Sequence, residues 1–243
     1  MFRIAVPTWN TERYIAKSLS SVLIQKENNY TCCVVVDPST DKTDYIVKET
    51  IGKDPRFKII TNGVQKYALA NIIDSINYQS PEDDDIIVLL DGDDWLINDN
   101  VLSIIKGYYD RDPSLLVTHG SWVAYPNPNA ITNNAPYTEE DFRNNIRKVS
   151  WRASHLRTFK YKVWKKIKDS DFRDENNNYF RSAWDLAIMW PILEMATYKR
   201  VKFVPDILYV YNQETPYGDG HMRLREQMYL TDYIAGMKPY DPI

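Results

Sequence analysis

The sequence lacks the features that mark secreted, disulfide-bonded or membrane-spanning proteins. Its 243 residues include only two cysteines, the neighbours Cys32 and Cys33. Adjacent residues of a strand point to opposite faces and do not normally pair, so a reducing compartment is expected. The N-terminus has no segment of the signal-peptide kind, and no run approaches the ~20 apolar residues of a transmembrane helix. We therefore predict a soluble, cytoplasmic protein with no signal peptide and no transmembrane segment.

The sequence also has no large excess of charge of either sign. Its 30 Lys and Arg residues against 33 Asp and Glu residues give a formal net charge of −3. This balance does not indicate nucleic acid or an anionic membrane as the main partner. The length suits one large α/β domain, and no linker or internal repeat interrupts the chain. We therefore predict a single domain over residues 1–243.

Strand-like and helix-like segments alternate through the first 120 residues. Five short apolar runs predict strands at residues 2–6, 31–36, 57–60, 86–90 and 115–118. In the segments between them, apolar residues recur at helical spacing, which predicts helices. This order predicts an α/β fold with an open, mainly parallel sheet flanked by helices. The second half is more irregular. There the pattern predicts helices at residues 181–196 and about 222–233, and strands at residues 201–204 and 207–211.

Polar residues follow the predicted strands, at the edge where ligands bind in parallel sheets. The strongest of these clusters is the acidic run Asp91-Gly92-Asp93-Asp94. Its three carboxylates repel one another unless a cation or hydrogen-bond donors compensate. Carboxylate oxygens suit hard divalent cations, and a glycine lets the backbone turn tightly. The alternative is a solvated acidic turn that caps the next helix.

Four segments, in order, resemble the family 2 glycosyltransferases, whose fold is the GT-A type. They are Ala-Val-Pro-Thr-Trp-Asn at residues 5–10, Val-Val-Val-Asp-Pro-Ser-Thr-Asp at 34–41, Ala-Leu-Ala-Asn at 68–71 and Leu-Asp-Gly-Asp-Asp at 90–94. The match covers about the first 100 residues. It implies a Rossmann-like GT-A domain in which residues 1–120 bind a nucleotide sugar, and residues 121–243 bind the acceptor and supply catalysis.

The resemblance also implies roles for individual residues on the nucleotide side. The residues expected to line the nucleotide-sugar pocket are Pro7, Thr8, Asn10, Asn71 and Gly92. Asp37 falls where the family places a carboxylate that hydrogen-bonds uracil. Asp91 and Asp93 look like the pair that touches ribose and coordinates Mn²⁺ or Mg²⁺, and Asp94 is a lesser candidate for the donor sugar. Ala70 stands where the family often has an arginine, and Lys66, one turn earlier, is the candidate substitute.

Catalysis by inversion needs a carboxylate that removes the proton of the acceptor hydroxyl. The Glu-Asp pair with which the family commonly supplies this base falls on Ser182 and Ala183. Asp185 is the only acid in the first turn of the predicted helix, and we assign it as the base. The alternative is a carboxylate that only stabilises the helix N-terminus.

The three histidines are weaker candidates. His221 is assigned as a third metal ligand beside Asp91 and Asp93, as a late histidine is in several GT-A enzymes. The alternative is an ordinary surface residue. His155 lies where the acceptor or donor sugar is expected to dock, with a structural histidine as the alternative. His119 ends a predicted strand and is assigned a structural role.

These expectations describe a metal-dependent inverting glycosyltransferase that moves a hexose from a UDP sugar to a hydroxyl of a glycan, protein or lipid-linked acceptor. A nucleotidyltransferase is the first alternative, although no glycine precedes Gly52 to form its phosphate loop. A catalytically silent binding module is the second, since the Glu-Asp pair is displaced. The nine Lys and Arg residues between positions 146 and 168 suit a nucleic-acid patch, but the interpretation we favour is a solvated helical face with a few of its cations near the diphosphate.

Overall fold

The computed structural model describes residues 1–130, 135–215 and 223–243. The predicted alternation of strands and helices is confirmed in the first half. β-Branched and other apolar residues form the buried strands, as in the valine run of the second strand. The elements are β1 Phe2–Thr8, α1 Ile15–Leu23, β2 Tyr30–Val36, α2 Thr43–Ile51, β3 Phe57–Thr61, α3 Tyr67–Tyr78, β4 Ile86–Leu89, β5 Trp95–Leu96 and α4 Val101–Arg111.

The second half departs from its predicted elements more than the first half does. Its helices and strands are β6 Val117–Tyr125, α5 Glu139–Arg143, β7 Arg157–Lys160, α6 Tyr161–Trp164, α7 Trp184–Ala196, β8 Val201–Asn212 and α8 Leu224–Gly236, with 3₁₀ turns at Ile146–Lys148, Asp169–Phe172 and Tyr198–Arg200. The basic stretch contains a buried strand, β7, which was not predicted. The two late strands are one long strand, β8. Helix α7 begins at Trp184 because Ala183 has a left-handed φ of 52°.

The eight strands of the described residues belong to one sheet, in the order β3-β2-β1-β4-β7-β6-β8-β5. Strands β3, β2, β1 and β4 are parallel, as predicted. Strand β7 lies antiparallel between β4 and β6, so the fifth predicted strand, β6, does not neighbour β4. The carboxyl ends of β1, β2 and β4 meet at one edge of the sheet.

Two apolar clusters cover the two faces of the sheet. One contains Ile72 of α3 and Ile188 of α7, and the other contains Leu19 of α1 and Ile105 of α4. Strand β4 is buried along its whole length, because both faces of the sheet are covered there. This burial explains why all of its residues are apolar. In the described part of the chain, no helix combines the length and apolar character that crossing a membrane requires.

Candidate active site

A cleft of ≈ 720 Å³ opens at the carboxyl ends of β1, β2 and β4, against the start of α7 and the end of β8. It brings residues of both halves of the chain together. The predicted site residues that line it are Pro7, Thr8, Asp37, Asn71, Asp91, Gly92, Asp93, Asp94 and Asp185. The same wall includes His155, which was expected where the sugar docks. It also includes side chains to which the sequence analysis gave no individual role at the site, namely Trp9, Tyr67, Arg157, Arg181, Trp184, Tyr211, Asn212 and Arg223.

The glycine of the acidic run is required by close packing against β1. The Gly92 amide donates to the Pro7 carbonyl over 3.1 Å. A Cβ at position 92 would lie 2.5 Å from Thr8 Oγ1 and 2.6 Å from Thr8 Cβ, which is closer than such atoms approach. The run therefore lies directly on the Thr8 end of β1, and this contact fixes where its carboxylates point.

Replacing Gly92 with alanine is expected to destabilise the fold. The added methyl must displace Thr8, and overpacking of this kind costs about 1–3 kcal/mol. Chemical unfolding of Gly92→Ala measures this loss. The matched control is Gly63→Ala, since a Cβ at Gly63 meets nothing within 4 Å. Unfolding of Gly92→Ala at the wild-type denaturant concentration would contradict this packing argument.

The surroundings of Asp91 and Asp93 disfavour the ionised form of both carboxylates. Burial raises the pKa of Asp91 to about 6, against the opposing effect of Arg157. Burial, together with the charge of Asp91, raises the pKa of Asp93 to about 7. Protein groups thus compensate these negative charges incompletely. A divalent cation, whose preferred ligands are carboxylate and phosphate oxygens, would supply the missing compensation, so the chemistry of these two side chains suits such an ion.

Asp94 has a different environment, since both of its oxygens accept hydrogen bonds from β8. The Tyr209 hydroxyl donates to Oδ2 over 2.7 Å, and the Asn212 amide donates to Oδ1 over 2.7 Å. The Asn212 side chain also donates to the Asp93 carbonyl. Asp94 therefore ties the end of β8 to the acidic run, which leaves its carboxylate poorly placed to bind a sugar.

His155 faces the acidic run from the start of β7. Its Nε2 lies 3.6 Å from Asp91 Oδ2 and 3.1 Å from the Arg157 guanidinium. Because a guanidinium only donates, Nε2 is the accepting nitrogen and the proton lies on Nδ1. Burial, reinforced by Arg157, holds the pKa of His155 well below its usual value. The imidazole is therefore neutral, and its contact with Asp91 is not an ion pair.

Ligand atoms of Asp91, Asp94 and His155 lie within 4.8 Å of one another, a spacing that can hold a metal ion. The hydrogen bonds already made by Asp94 and His155 compete with this use. Asp91 is consequently the member of this group best suited to a cation. His221, the predicted third ligand, lies outside the described residues.

Asp37 is buried after the end of β2, at the wall of the cleft, and accepts hydrogen bonds from the start of helix α3. Its carboxylate accepts from the backbone amides of Lys66 and Tyr67 and from the Asn62 side chain, at 2.8–3.1 Å. Asn62 Nδ2 also donates to Asn71 Oδ1 over 2.8 Å. Asp37 and Asn71 therefore line the cleft as parts of one polar network, and most of the accepting capacity of Asp37 is already used by the helix.

Two predicted nucleotide contacts do not reach the cleft wall. The side chain of Asn10 accepts from the Thr40 amide over 2.8 Å and so joins the loop after β1 to the loop after β2. The ammonium of Lys66 pairs with Asp74 over 2.8 Å. Neither residue is among those that line the cleft, because each side chain is engaged by a neighbouring loop or helix.

The predicted base, Asp185, lies in the first turn of α7 and borders the cleft. Its Oδ2 accepts from Arg157 over 3.2 Å, and its Oδ1 accepts from the Leu186 amide over 3.0 Å. Ser182 and Ala183, the positions on which the resemblance places the family's acidic pair, are buried. The contact with the Leu186 amide is thus compatible with the alternative role of Asp185, stabilisation of the helix. The side chain is nevertheless 25% exposed, so it can also contact a substrate.

Several residues around the cleft were missed or misplaced by the sequence analysis. Arg157 belongs to the basic stretch, where a solvated helical face was expected, whereas it is buried in β7. His155, which was expected where the sugar docks, lies two residues before β7 and does line the cleft. Tyr209 and Asn212 carry no local motif, and only the sheet brings them to Asp94. By contrast, His119 was assigned a structural role, and it is buried in β6 between Tyr137 and Phe203, away from the residues that line the cleft.

Comparisons with known proteins give this cleft a context. The sequence model of glycosyl transferase family 2 matches residues 3–186. An uncharacterized glycosyltransferase of Haemophilus influenzae is 31% identical over 123 residues, which are 50% of this chain and 47% of that protein. The UDP-Glc:alpha-D-GlcNAc-diphosphoundecaprenol beta-1,3-glucosyltransferase of Escherichia coli is 32% identical over 133 residues, which are 54% of this chain and 47% of that protein. The chain spans about half the length of these relatives.

Solved structures show the same fold at low sequence identity. S. aureus TarS 1-349 in complex with UDP-GlcNAc has a TM-score of 0.68 and 20% identity, covering 98% of this chain and 68% of that one. A mannosyltransferase from Pyrobaculum calidifontis, in complex with GDP-Man and Mn²⁺, has a TM-score of 0.65 and 17% identity, covering 98% and 65%. The GT-A fold predicted from the sequence is confirmed.

Proposed function

The chain belongs to glycosyl transferase family 2, and from that premise we propose that it transfers a hexose from a nucleotide sugar to a hydroxyl acceptor, with inversion of configuration. A UDP sugar is the favoured donor. The chain acts as one domain, in which residues 1–120 supply most of the donor site, and residues 121–243 supply the base and the acceptor side. The acceptor is a hydroxyl of a glycan, protein or lipid-linked sugar.

The observation that carries this proposal is the meeting of the acidic run and Asp185 in one cleft. Asp91 and Asp93 come from the end of β4, and Asp185 comes from the start of α7, 92 positions after Asp93 in the sequence. Transfer to a hydroxyl needs both a site for the leaving diphosphate and a base for the acceptor proton. The cleft offers a candidate for each.

The donor is expected to lie along the carboxyl ends of β1, β2 and β4, with its base towards Asp37 and its diphosphate towards the acidic run. Related structures hold UDP-GlcNAc, or GDP-Man with Mn²⁺, which supports a nucleotide sugar as the ligand. Asp91 and Asp93 would hold Mn²⁺ or Mg²⁺. Such an ion supplies charge neutralisation for the leaving diphosphate.

In the proposed reaction, the acceptor oxygen forms a bond to the anomeric carbon as the bond from that carbon to the phosphate oxygen breaks. The nucleoside diphosphate leaves with the bonding electron pair. Asp185 takes the proton of the acceptor hydroxyl, and attack from the face opposite the leaving group inverts the configuration. Trp184, beside Asp185, offers an aromatic face of the kind on which sugar rings pack.

A donor screen tests this function. Purified protein with Mn²⁺ is incubated with UDP, GDP and TDP sugars, and release of the nucleoside diphosphate is measured. Release from one donor, well above that of the Asp185→Asn variant, is the expected result, because water replaces the missing acceptor. Binding of a donor without any release would instead favour the silent binding module. This module is the second candidate because Ser182 and Ala183 stand where the acidic pair is expected.

A further inference from the structure

Arg157 is a buried cation in the wall of the cleft. Its side chain is only 4% exposed. Its Nε donates to the Ala153 carbonyl over 2.9 Å, one terminal nitrogen donates to His155 Nε2 over 3.1 Å, and the other donates to Asp185 Oδ2 over 3.2 Å. A buried guanidinium is costly unless it is paired and hydrogen-bonded. These three bonds therefore fix the position of its planar fork.

The contacts of His155 continue from Arg157 to the acidic run. The imidazole stacks on Tyr209 and Tyr211, with ring centroids 4.6 Å and 5.4 Å apart. The Tyr209 hydroxyl accepts from the Asp91 amide and donates to Asp94. Arg157, at the start of β7, therefore bonds to Asp185 on one side. On the other side it bonds to His155, which contacts the acidic run.

We propose that Arg157 is a positioning residue that fixes the Asp185 carboxylate relative to the acidic run. Its importance for turnover rests on the proposed function, in which Asp185 is the base and Asp91 belongs to the donor site. Displacement of a reacting group by about 1 Å can cost roughly 10²-fold in rate. A planar guanidinium can hold a ring nitrogen and a carboxylate at once, whereas the single ammonium of a lysine cannot reproduce that fork.

The activity test compares Arg157→Ala, Arg157→Lys and a matched control, Arg147→Met. Arg147 is likewise buried and paired with a carboxylate, Glu194, at 2.6 Å, but it does not line the cleft. With the UDP sugar that wild type hydrolyses fastest, both Arg157 variants are expected to lose roughly 10²-fold in kcat. UDP affinity should stay within about twofold of wild type. Free guanidinium ion should restore part of the rate of Arg157→Ala, and Arg147→Met should turn over normally once folded.

A double-mutant cycle shows whether Arg157 acts through Asp185. In an Asp185→Asn background, Arg157→Lys should lower kcat by less than about threefold, since the carboxylate that it positions is already gone. Additive losses in kcat, unchanged turnover in both Arg157 variants, or a loss confined to UDP affinity would each overturn the proposal.

The same cycle is also measured by urea unfolding without any substrate, so that it does not depend on activity. The unfolding free energies of Arg157→Lys, Asp185→Asn and the double variant should be non-additive, because the pair is in direct contact. Additivity would overturn the proposal even if the protein proves to be a transferase. Unfolding free energies could be non-additive while the wild-type protein consumes no nucleotide sugar. That result would establish the contact between Arg157 and Asp185 and reject only the proposed function.

Discussion

The Asp185→Asn variant is expected to lose nearly all transfer while keeping its affinity for the nucleotide. An amide cannot accept the proton of the acceptor hydroxyl, and loss of a general base typically costs roughly 10²–10⁴-fold in rate. The substitution keeps the side-chain shape and an oxygen that can still accept from Arg157 or from the Leu186 amide, the two bonds seen for Asp185. The loss should therefore appear in kcat. UDP affinity, measured by calorimetry, should hardly change.

The control for this variant is Asp110→Asn on helix α4, whose carboxylate pairs with Lys106 at the protein surface. It makes the same chemical change away from the cleft and should transfer sugar at the wild-type rate. Full turnover by Asp185→Asn would assign the base to another group and leave Asp185 with helix stabilisation as its role.

The second large effect is expected for the acidic run. Asp93→Asn should abolish most of the gain in UDP affinity that Mn²⁺ provides, since Asp93 is proposed to hold the cation. The expected loss is roughly tenfold or more, which corresponds to about 1.4 kcal/mol. Without metal, the variant should be at least as stable as wild type. Burial and the neighbouring charge of Asp91 already raise the pKa of Asp93 to about 7, so a neutral side chain relieves an unfavourable charge.

The matched control is Asp99→Asn, which removes an exposed carboxylate paired with Lys26 and should not alter the effect of Mn²⁺. Calorimetric titration of UDP, with and without Mn²⁺, measures both variants. An undiminished Mn²⁺ effect in Asp93→Asn would remove Asp93 from the metal site and direct attention to Asp91 and His155.

The first half of the fold was predictable from sequence because its signals are local. Each strand of the parallel sheet is a continuous apolar run, and each helix has its own apolar spacing, so the order of elements followed directly. The predicted gathering of Thr8, Asp37 and the acidic run follows from the same order, whereas Asn71, which lies in helix α3, was assigned to the site only through the family resemblance. In the parallel part of the sheet, the strand ends meet at one edge.

The second half was harder because its elements are defined by distant partners. Strand β7 contains charged residues that read as a solvated face, but Arg157 is buried through contacts with Ala153, His155 and Asp185. Tyr209 and Asn212 act on Asp94 from about 115 positions away. Lys66 was expected near the nucleotide, and only the structure shows that Asp74 holds its ammonium. Pairings at such sequence separations leave no periodic signal.

The central claim is that the cleft binds a nucleoside diphosphate through a cation at the acidic run. The most direct measurement is the affinity of the wild-type protein for UDP, by calorimetry, in the presence and absence of Mn²⁺. We predict binding that strengthens by roughly tenfold or more with Mn²⁺. If UDP does not bind with or without Mn²⁺, and GDP and TDP do not bind either, the account is contradicted.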